Sequence, residues 1–163
     1  MSDTEEKKPK KPIRLATLDD LEIGKWNVVV ELGLNEAGEM DEVLIPLNAL
    51  SYYQVQQIRA DIKDPMPPMA GHRDGGIPVY NFSDPAYLAE RNMKEAERMH
   101  AFLLAAWPED KIPLPGATDA EKIEHLKFKL TASVVRQLLE RLQGLIMEGN
   151  ARVEARAATF QEK

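Results

Sequence analysis

The sequence contains no cysteine. Disulfides, thiolate nucleophiles and cysteine-ligated zinc or iron–sulfur centres are therefore excluded. Aromatic residues make up only 6% of the 163 positions, so a core has to be assembled from Leu, Ile, Val, Ala and Met. No apolar run approaches the roughly 18 residues needed to cross a bilayer. Residues 1–12 (MSDTEEKKPKKP) are charged and have no apolar region behind them. That is not the pattern of a secretory signal, and a cytosolic location is expected. Basic charge is also scarce: 21 Lys and Arg stand against 27 Asp and Glu, a net charge of −6. Duplex binding calls for a basic stripe that displaces counterions from phosphates, and anionic lipid for a basic surface. Neither nucleic acid nor membrane is an expected partner.

The charges that are present fall into two concentrations. Lys7, Lys8, Lys10 and Lys11 form a basic run, offset by Asp3, Glu5 and Glu6. Between Leu18 and Glu42 lie Asp19, Asp20, Glu22, Glu31, Glu36, Glu39, Asp41 and Glu42, against Lys25 alone. Such a stretch is either a solvated acidic face or an acidic docking surface for a basic partner.

Hydrophobic periodicity divides the chain. Residues 1–12 have no apolar side chain after Met1, too little to offset ordering entropy, and are expected to be a mobile arm. In Ile13 to Gly24, Leu15, Leu18, Leu21 and Ile23 can pack on the domain without a clear period. Trp26 to Leu34 predicts a half-buried strand, with Val28, Val30, Leu32 and Leu34 on one face. Asn35 to Gly38 offers turn chemistry, and Glu42 to Leu47 the returning strand, with Pro46 at its end or edge. A lone hairpin is marginal in water, so this one needs helices or a second chain over its apolar face.

Three helices follow in this reading. The first opens with Ser51 and Gln54 as a capping box, with Leu50 and Val55 placed as a hydrophobic staple. It carries Tyr52, Val55, Ile58 and Ile62 on one face and stops at Asp64-Pro65. Asp64 to Phe82 reads as a long Pro/Gly-rich loop. The second helix starts at Asp84-Pro85 and runs to Trp107, with Ala89, Met93, Ala96, His100, Leu103 and Trp107 near one face and Leu88, Met99 and Leu104 widening it. The third starts at the Thr118/Glu121 capping box. It steps through Ile123, Leu126, Leu130, Val134, Leu138, Leu142 and Leu145, and Gly149-Asn150 is its expected stop. The fold class is thus α+β, mainly α: an N-terminal β-hairpin and three helices. A single domain over residues 13–150 is followed by a tail over 151–163 in which Val153, Ala157 and Phe160 suit a short helix.

Catalytic chemistry is sparse. His72 lies beside Arg73 and Asp74 in the Gly/Pro-rich loop, without further ligands at metal-binding spacing. His100 and His125 sit on helices. Ser51, Ser83 and Ser133 lack a Gly-x-Ser-x-Gly setting, and Gly71 to Gly76 is not followed by the Lys-Ser/Thr of a phosphate loop. The adjacent carboxylates Asp19-Asp20 and Asp41-Glu42 do not converge from different elements. The expectation is no enzyme, no catalytic residue, no metal and no cofactor; the rival is a hydrolase using His72 and Asp74. Met66, Met69, Met93 and Met99 instead supply the adaptable apolar surface of permissive binding sites, or, for Met93 and Met99, fill gaps in a core.

Several stretches resemble the tail assembly chaperones of long-tailed (siphovirus-like) bacteriophages. They are VLIPLNALSYYQVQQI, where the strand pair leads into the first helix, the spacer DPMPPMAG, the segment YNFSDPAYLAERNMKEAERMHAFLLA, the connector IPLPGATDAEKIEHLK and the tail ARVEARAATFQEK. The resemblance covers roughly Ile13 to Lys163, and DPAYLA with its following charged helix carries most of it. It implies that the chain binds and solubilises the tape measure protein, or another phage tail protein, during tail morphogenesis. It places the chain in the cytoplasm of the bacterial host, absent from the mature virion, with a homo-oligomer as a further expectation. A structural head–tail connector or tail-completion protein is the alternative. The partner surface is expected on the second and third helices, at Leu88, Met93, Met99, Leu103, Leu138, Leu142 and Leu145.

Overall fold

A computed structural model describes residues 24–161, with side chains described to residue 147. The expected arm at residues 1–12 and the segment Ile13 to Ile23 lie outside the described residues. So do the side chains of Val153, Ala157 and Phe160.

The chain is α+β, and its first element is the expected antiparallel hairpin: β1 (Lys25–Leu34) pairs with β2 (Met40–Asn48). Asn35 makes the turn. Its Oδ1 accepts the backbone N–H groups of Ala37 and Glu39 at 2.9 and 3.0 Å, a local bond that competes with continued extension. Trp26, Val28 and Val30 stand opposite Leu47, Ile45 and Val43 and turn toward the helices. The alternation does not run to the end of β1 as the sequence suggested. Glu31 pairs with Glu42 but Gly33 pairs with Asp41, so Leu32 is an extra residue. This bulge, eased by Gly33 at φ 129°, reverses the parity of the strand beyond it. Leu34 therefore shares a face with Met40 and Leu44, away from the core.

α1 (Tyr52–Asp61) begins at the predicted capping box, with Gln54 N–H donating to Ser51 Oγ at 3.2 Å and Ser51 N–H donating to Gln54 Oε1 at 2.9 Å. Val55, Ile58 and Leu50 pack on the core, whereas Tyr52 is exposed. The stretch read as one long loop contains a second antiparallel hairpin, β3 (Met69–Arg73) with β4 (Ile77–Tyr80). Its Asp74-Gly75-Gly76 turn supplies the reversal, and the Pro residues that argued against a strand fall before β3 and at the edge position Pro78. Among the described residues this hairpin packs against no other element.

α2 (Pro85–Ala106) is capped by Asp84, whose carboxylate accepts Tyr87 N–H at 2.9 Å, and has Pro85 at its first position. Its apolar stripe is only half used. Phe102, Leu103 and Ala106 are buried, with Trp107 just beyond, while Ala89, Met93 and Ala96 are exposed. Trp107 Nε1 donates to Ile112 O at 2.6 Å, which fixes the connector that follows.

The single third helix of the sequence reading is two helices, α3 (Asp119–Phe128) and α4 (Ala132–Gln161), making four in all. Lys129 closes α3 by donating to His125 O, and Thr131 O accepts Val135 N–H to open α4. The corner was invisible to periodicity because Leu126, Leu130, Val134 and Leu138 keep a spacing of four across it, and both helices bury into one core. α4 also does not stop at Gly149-Asn150. It runs on through Ala151 to Gln161, where Ala-rich helix formers outweigh the roughly 1 kcal/mol penalty of one glycine.

The core lies between the inner face of the first hairpin and the helices, joining Val28, Val30, Ile45 and Leu47 to Phe102, Leu103, Leu126, Leu138, Leu142 and Ile146.

The α3 cap has a measurable pH signature. Glu121 accepts Ala117 N–H at 2.7 Å and Thr118 N–H at 3.2 Å. These two backbone donors, Ala117 first, hold its carboxyl below the ordinary value of 4.5. The folded state therefore binds this proton less readily than the unfolded chain. The stabilisation is present above pH 4.5 and is lost as pH falls through the lower folded value. Urea midpoints of Glu121→Gln should fall less steeply over that acidic range than those of the parent; parallel curves would refute the assignment.

Candidate binding surface

In an antiparallel pair, residues facing each other project to the same side of the sheet. The outer side of the first hairpin therefore carries Val29 with Leu44, Glu31 with Glu42, and Leu34 with Met40. The four apolar residues are 49–71% exposed. Among the described residues no element lies across this side, where two apolar pairs flank the exposed carboxylates of Glu31 and Glu42, with Arg141 of α4 lining the same cavity at the β1 edge. None of the ion pairs among the described residues includes Glu31 or Glu42.

One edge of this surface is built by α4. Gln137 presents its side-chain amide to β1 as a neighbouring strand would. Glu31 N–H donates to Gln137 Oε1 at 3.0 Å, and Gln137 Nε2 donates to Glu31 O at 2.9 Å. Because Glu31 directs its backbone groups outward, alternation directs those of Val29 and Asn27 the same way. Their partners across the ladder include Pro46, so its missing N–H falls on the outer edge of β2 and costs no ladder bond. Beside β1 is a cavity of about 460 Å³ lined by Val29, Glu31, Glu42, Gln137, Glu140 and Arg141. It continues along α4 into a second of about 440 Å³ that reaches Gly144 and Leu145.

A separate cavity of about 460 Å³ lies between α2 and α4, lined by Arg98, Met99, Phe102, Gln143, Ile146 and Met147, with Arg59, Asp64 and Glu95 at its rim. Arg98 is 12% exposed and ties the chain after α1 to α2, donating from Nη2 to Asp64 at 2.5 Å and to Glu95 at 2.7 Å. The Asp64 hydrogen bond, above all, raises the guanidinium pKa over its ordinary value.

The seven expected partner residues do not form one surface. Leu103, Leu138 and Leu142 are 0% exposed and belong to the chain's own core, so they are unavailable to a partner while that core is closed. A wide apolar stripe reflects burial on several sides here, by hairpin and helices together. Leu145 lines the groove beside β1, and Met99 lines the α2–α4 cavity. Met93 stands exposed on α2 and Leu88 is half-buried near its start. The outer-face residues Val29, Leu34, Met40 and Leu44 were missed. Their signal was present: Val28-Val29-Val30 and Leu44-Ile45 are apolar on both faces of a strand.

Methionine is concentrated at the surface. Met40, Met66, Met69, Met93 and Met147 are exposed, and Met99 alone of the described methionines packs on the core. The second hairpin and its flanks add exposed Ile77, Tyr80 and Phe82. His72 lies on β3, exposed, with Asp74 in the following turn. His100 Nδ1 is 2.7 Å from Ala96 O on its own helix. Among the described residues no group of three His, Asp or Glu side chains is placed to hold a metal, and no helix is long and apolar enough to cross a membrane. Comparison with family models, with curated proteins and with solved structures finds no match.

Proposed function

We propose that this chain is a tail assembly chaperone of a long-tailed bacteriophage, a non-enzymatic protein that holds the tape measure protein soluble in the host cytoplasm until the tail forms around it. The observation that supports this reading most is the exposed apolar outer face of the first hairpin, which no described element covers, together with exposed methionines on other elements. A long helical client presents many apolar stretches of differing shape. Flexible thioethers and open aliphatic pairs fit such stretches without demanding one geometry. Moderate contacts repeated along the client give avidity and still permit release. The resemblance of YNFSDPAYLAERNMKEAERMHAFLLA and its flanking segments to the family points the same way.

The test is co-expression with the adjacent long helical phage protein. The parent chain should raise the soluble fraction of that protein. A variant carrying Val29→Thr, Leu34→Ser, Met40→Ser and Leu44→Thr should fold normally, since all four side chains face solvent. At about 1 kcal/mol per lost apolar contact it should capture the client at least ~100-fold less well. Equal solubilisation by parent and variant would remove the hairpin face from the reading. Recovery of the chain in purified particles would favour the connector role instead.

A further inference from the structure

We propose that the groove between β1 and α4 takes an extended segment of a partner polypeptide as a third strand of the first hairpin: an apolar strand with a basic residue at its Gln137 end. This does not rest on the chaperone reading. It states the conformation in which a bound chain lies and the sheet edge it uses.

The backbone of β1 sets what can bind there. Its outward N–H and C=O groups recur at Glu31, Val29 and Asn27, successive sets roughly 7 Å apart. At Glu31 both groups are met by the Gln137 side-chain amide, which is steadied by donating from Nε2 to Ser133 Oγ at 3.3 Å. That amide stands where one residue of a neighbouring strand would stand. At Val29 and Asn27 no group among the described residues continues the row. Groups repeating at this interval are matched by alternate residues of an extended chain. A helix cannot match them, because its own N–H and C=O groups are bonded internally. The opposite edge of the hairpin is blunted by Pro46, which has no N–H to offer, so β1 is the open edge among the described residues.

The groove has room for a chain and a charge pattern that favours one kind. Gly144 lines its second cavity, and a Cβ added there meets nothing within 4 Å, so a backbone can pass close to α4. A strand residue opposite Val29 shares its side of the sheet and extends the apolar pair of Val29 and Leu44. The next residue turns to the side of Val28, where α4 brings Leu145. At the Gln137 end Glu31, Glu42 and Glu140 line the cavity with Arg141, and Arg136 lies 3.9 Å from Glu140. Even with both guanidiniums counted, the three carboxylates leave a negative excess. Glu36, Glu39 and Asp41, all exposed, add to it toward the hairpin tip. Arg141 thus offsets the acids in part, and a lysine or arginine on the incoming strand is favoured over an acid.

The probe is a fluorescein-labelled peptide, Lys-Lys-Val-Thr-Val-Thr-Val, titrated into the full chain and followed by anisotropy. Pairing antiparallel to β1, the more stable arrangement, brings its N-terminal lysines to the Gln137 end. Its alternation pins the register, because a slip of one residue turns every valine to the other side. In that register the valine N–H groups face β1 and the threonine N–H groups face away. N-methylation of the valines should therefore weaken binding about tenfold or more, and N-methylation of the threonines by no more than about twofold. Replacing Lys-Lys by Glu-Glu should weaken it several-fold at low salt, a difference that shrinks as salt rises. Gly144→Leu, which fills the groove from α4, should weaken it about tenfold or more while melting no lower than the parent. If that variant misfolds, the two methylated peptides decide alone. Absence of saturable binding, equal effects of the two methylation patterns, an acidic peptide as tight as the basic one, unchanged binding by a folded Gly144→Leu chain, or tighter binding of a helix-forming peptide with the same lysines would each overturn the proposal. No client enters the titration, so failure here leaves the co-expression test standing on its own.

Discussion

Replacing Leu138 with alanine should cost about 3 kcal/mol of folding stability, read as a lowered urea midpoint at unchanged slope. Leu138 is wholly enclosed by the side chains of the first hairpin and the helices, in one cluster with Val30, Leu103 and Leu142. Truncating such a leucine removes its transfer energy and leaves a cavity that close-packed neighbours fill only in part, together about 2.7–5 kcal/mol. Small domains have only about 5–15 kcal/mol in total, so a large fraction of the fold's margin goes with one side chain. Met93→Ala is the contrast. At 68% exposure it should leave stability within about 0.5 kcal/mol. The pair of measurements separates the two roles that periodicity confounded. A Leu138→Ala variant as stable as the parent would place that residue at a partner surface after all.

Gly116→Val should be comparably damaging for a different reason. Gly116 has φ +130°, a region that side-chain-bearing L residues rarely enter. A Cβ there would meet Glu121 Cβ at 2.9 Å and Lys122 N at 3.1 Å. Neither atom is the free end of a flexible side chain, so relief requires the α3 start to shift. Backbone strain of about 1–3 kcal/mol and overpacking of similar size are both expected. The same shift would part Ala117 and Thr118 from Glu121, and the acid-range signature of the α3 cap should vanish with it. Gly144→Ala should move stability in the opposite direction, by up to about 1 kcal/mol. That glycine lies within α4, and nothing stands within 4 Å of the added methyl. A Gly116 variant that melts no lower than the Gly144 variant would refute the steric account.

Local chemistry was the most legible part of this chain. Ser51 with Gln54, Asp84 with Pro85, and Thr118 with Glu121 each begin a helix where the pattern placed one, because a cap is decided by three or four adjacent residues. The hairpin turn at Asn35 is legible for the same reason. What escaped were features decided at a distance. Leu32 becomes a bulge only through its register with β2, and that one residue moves Leu34 from the expected inner face to the outer one. Thr131 breaks a helix without breaking the apolar period. Gly149 fails to stop α4 because neighbours on both sides favour helix. The candidate site suffered most. Leu103, Leu138 and Leu142 have the same apolar character whether they face a client or a core, and only the hairpin and helices packed around them decide between the two.

The isolation of the β3–β4 hairpin has a thermodynamic consequence. Among the described residues its two strands meet the body only through the residues that lead in and out, with Phe82 resting edge-on against Tyr87 at its foot. The melting of this hairpin and the melting of the core are then nearly independent equilibria. A ligand that orders the hairpin should leave the temperature of the main calorimetric transition unchanged and add a small separate endotherm below it. Residues inserted at Gly75-Gly76 should be tolerated by the body on the same ground, which makes that turn a natural attachment point for a reporter.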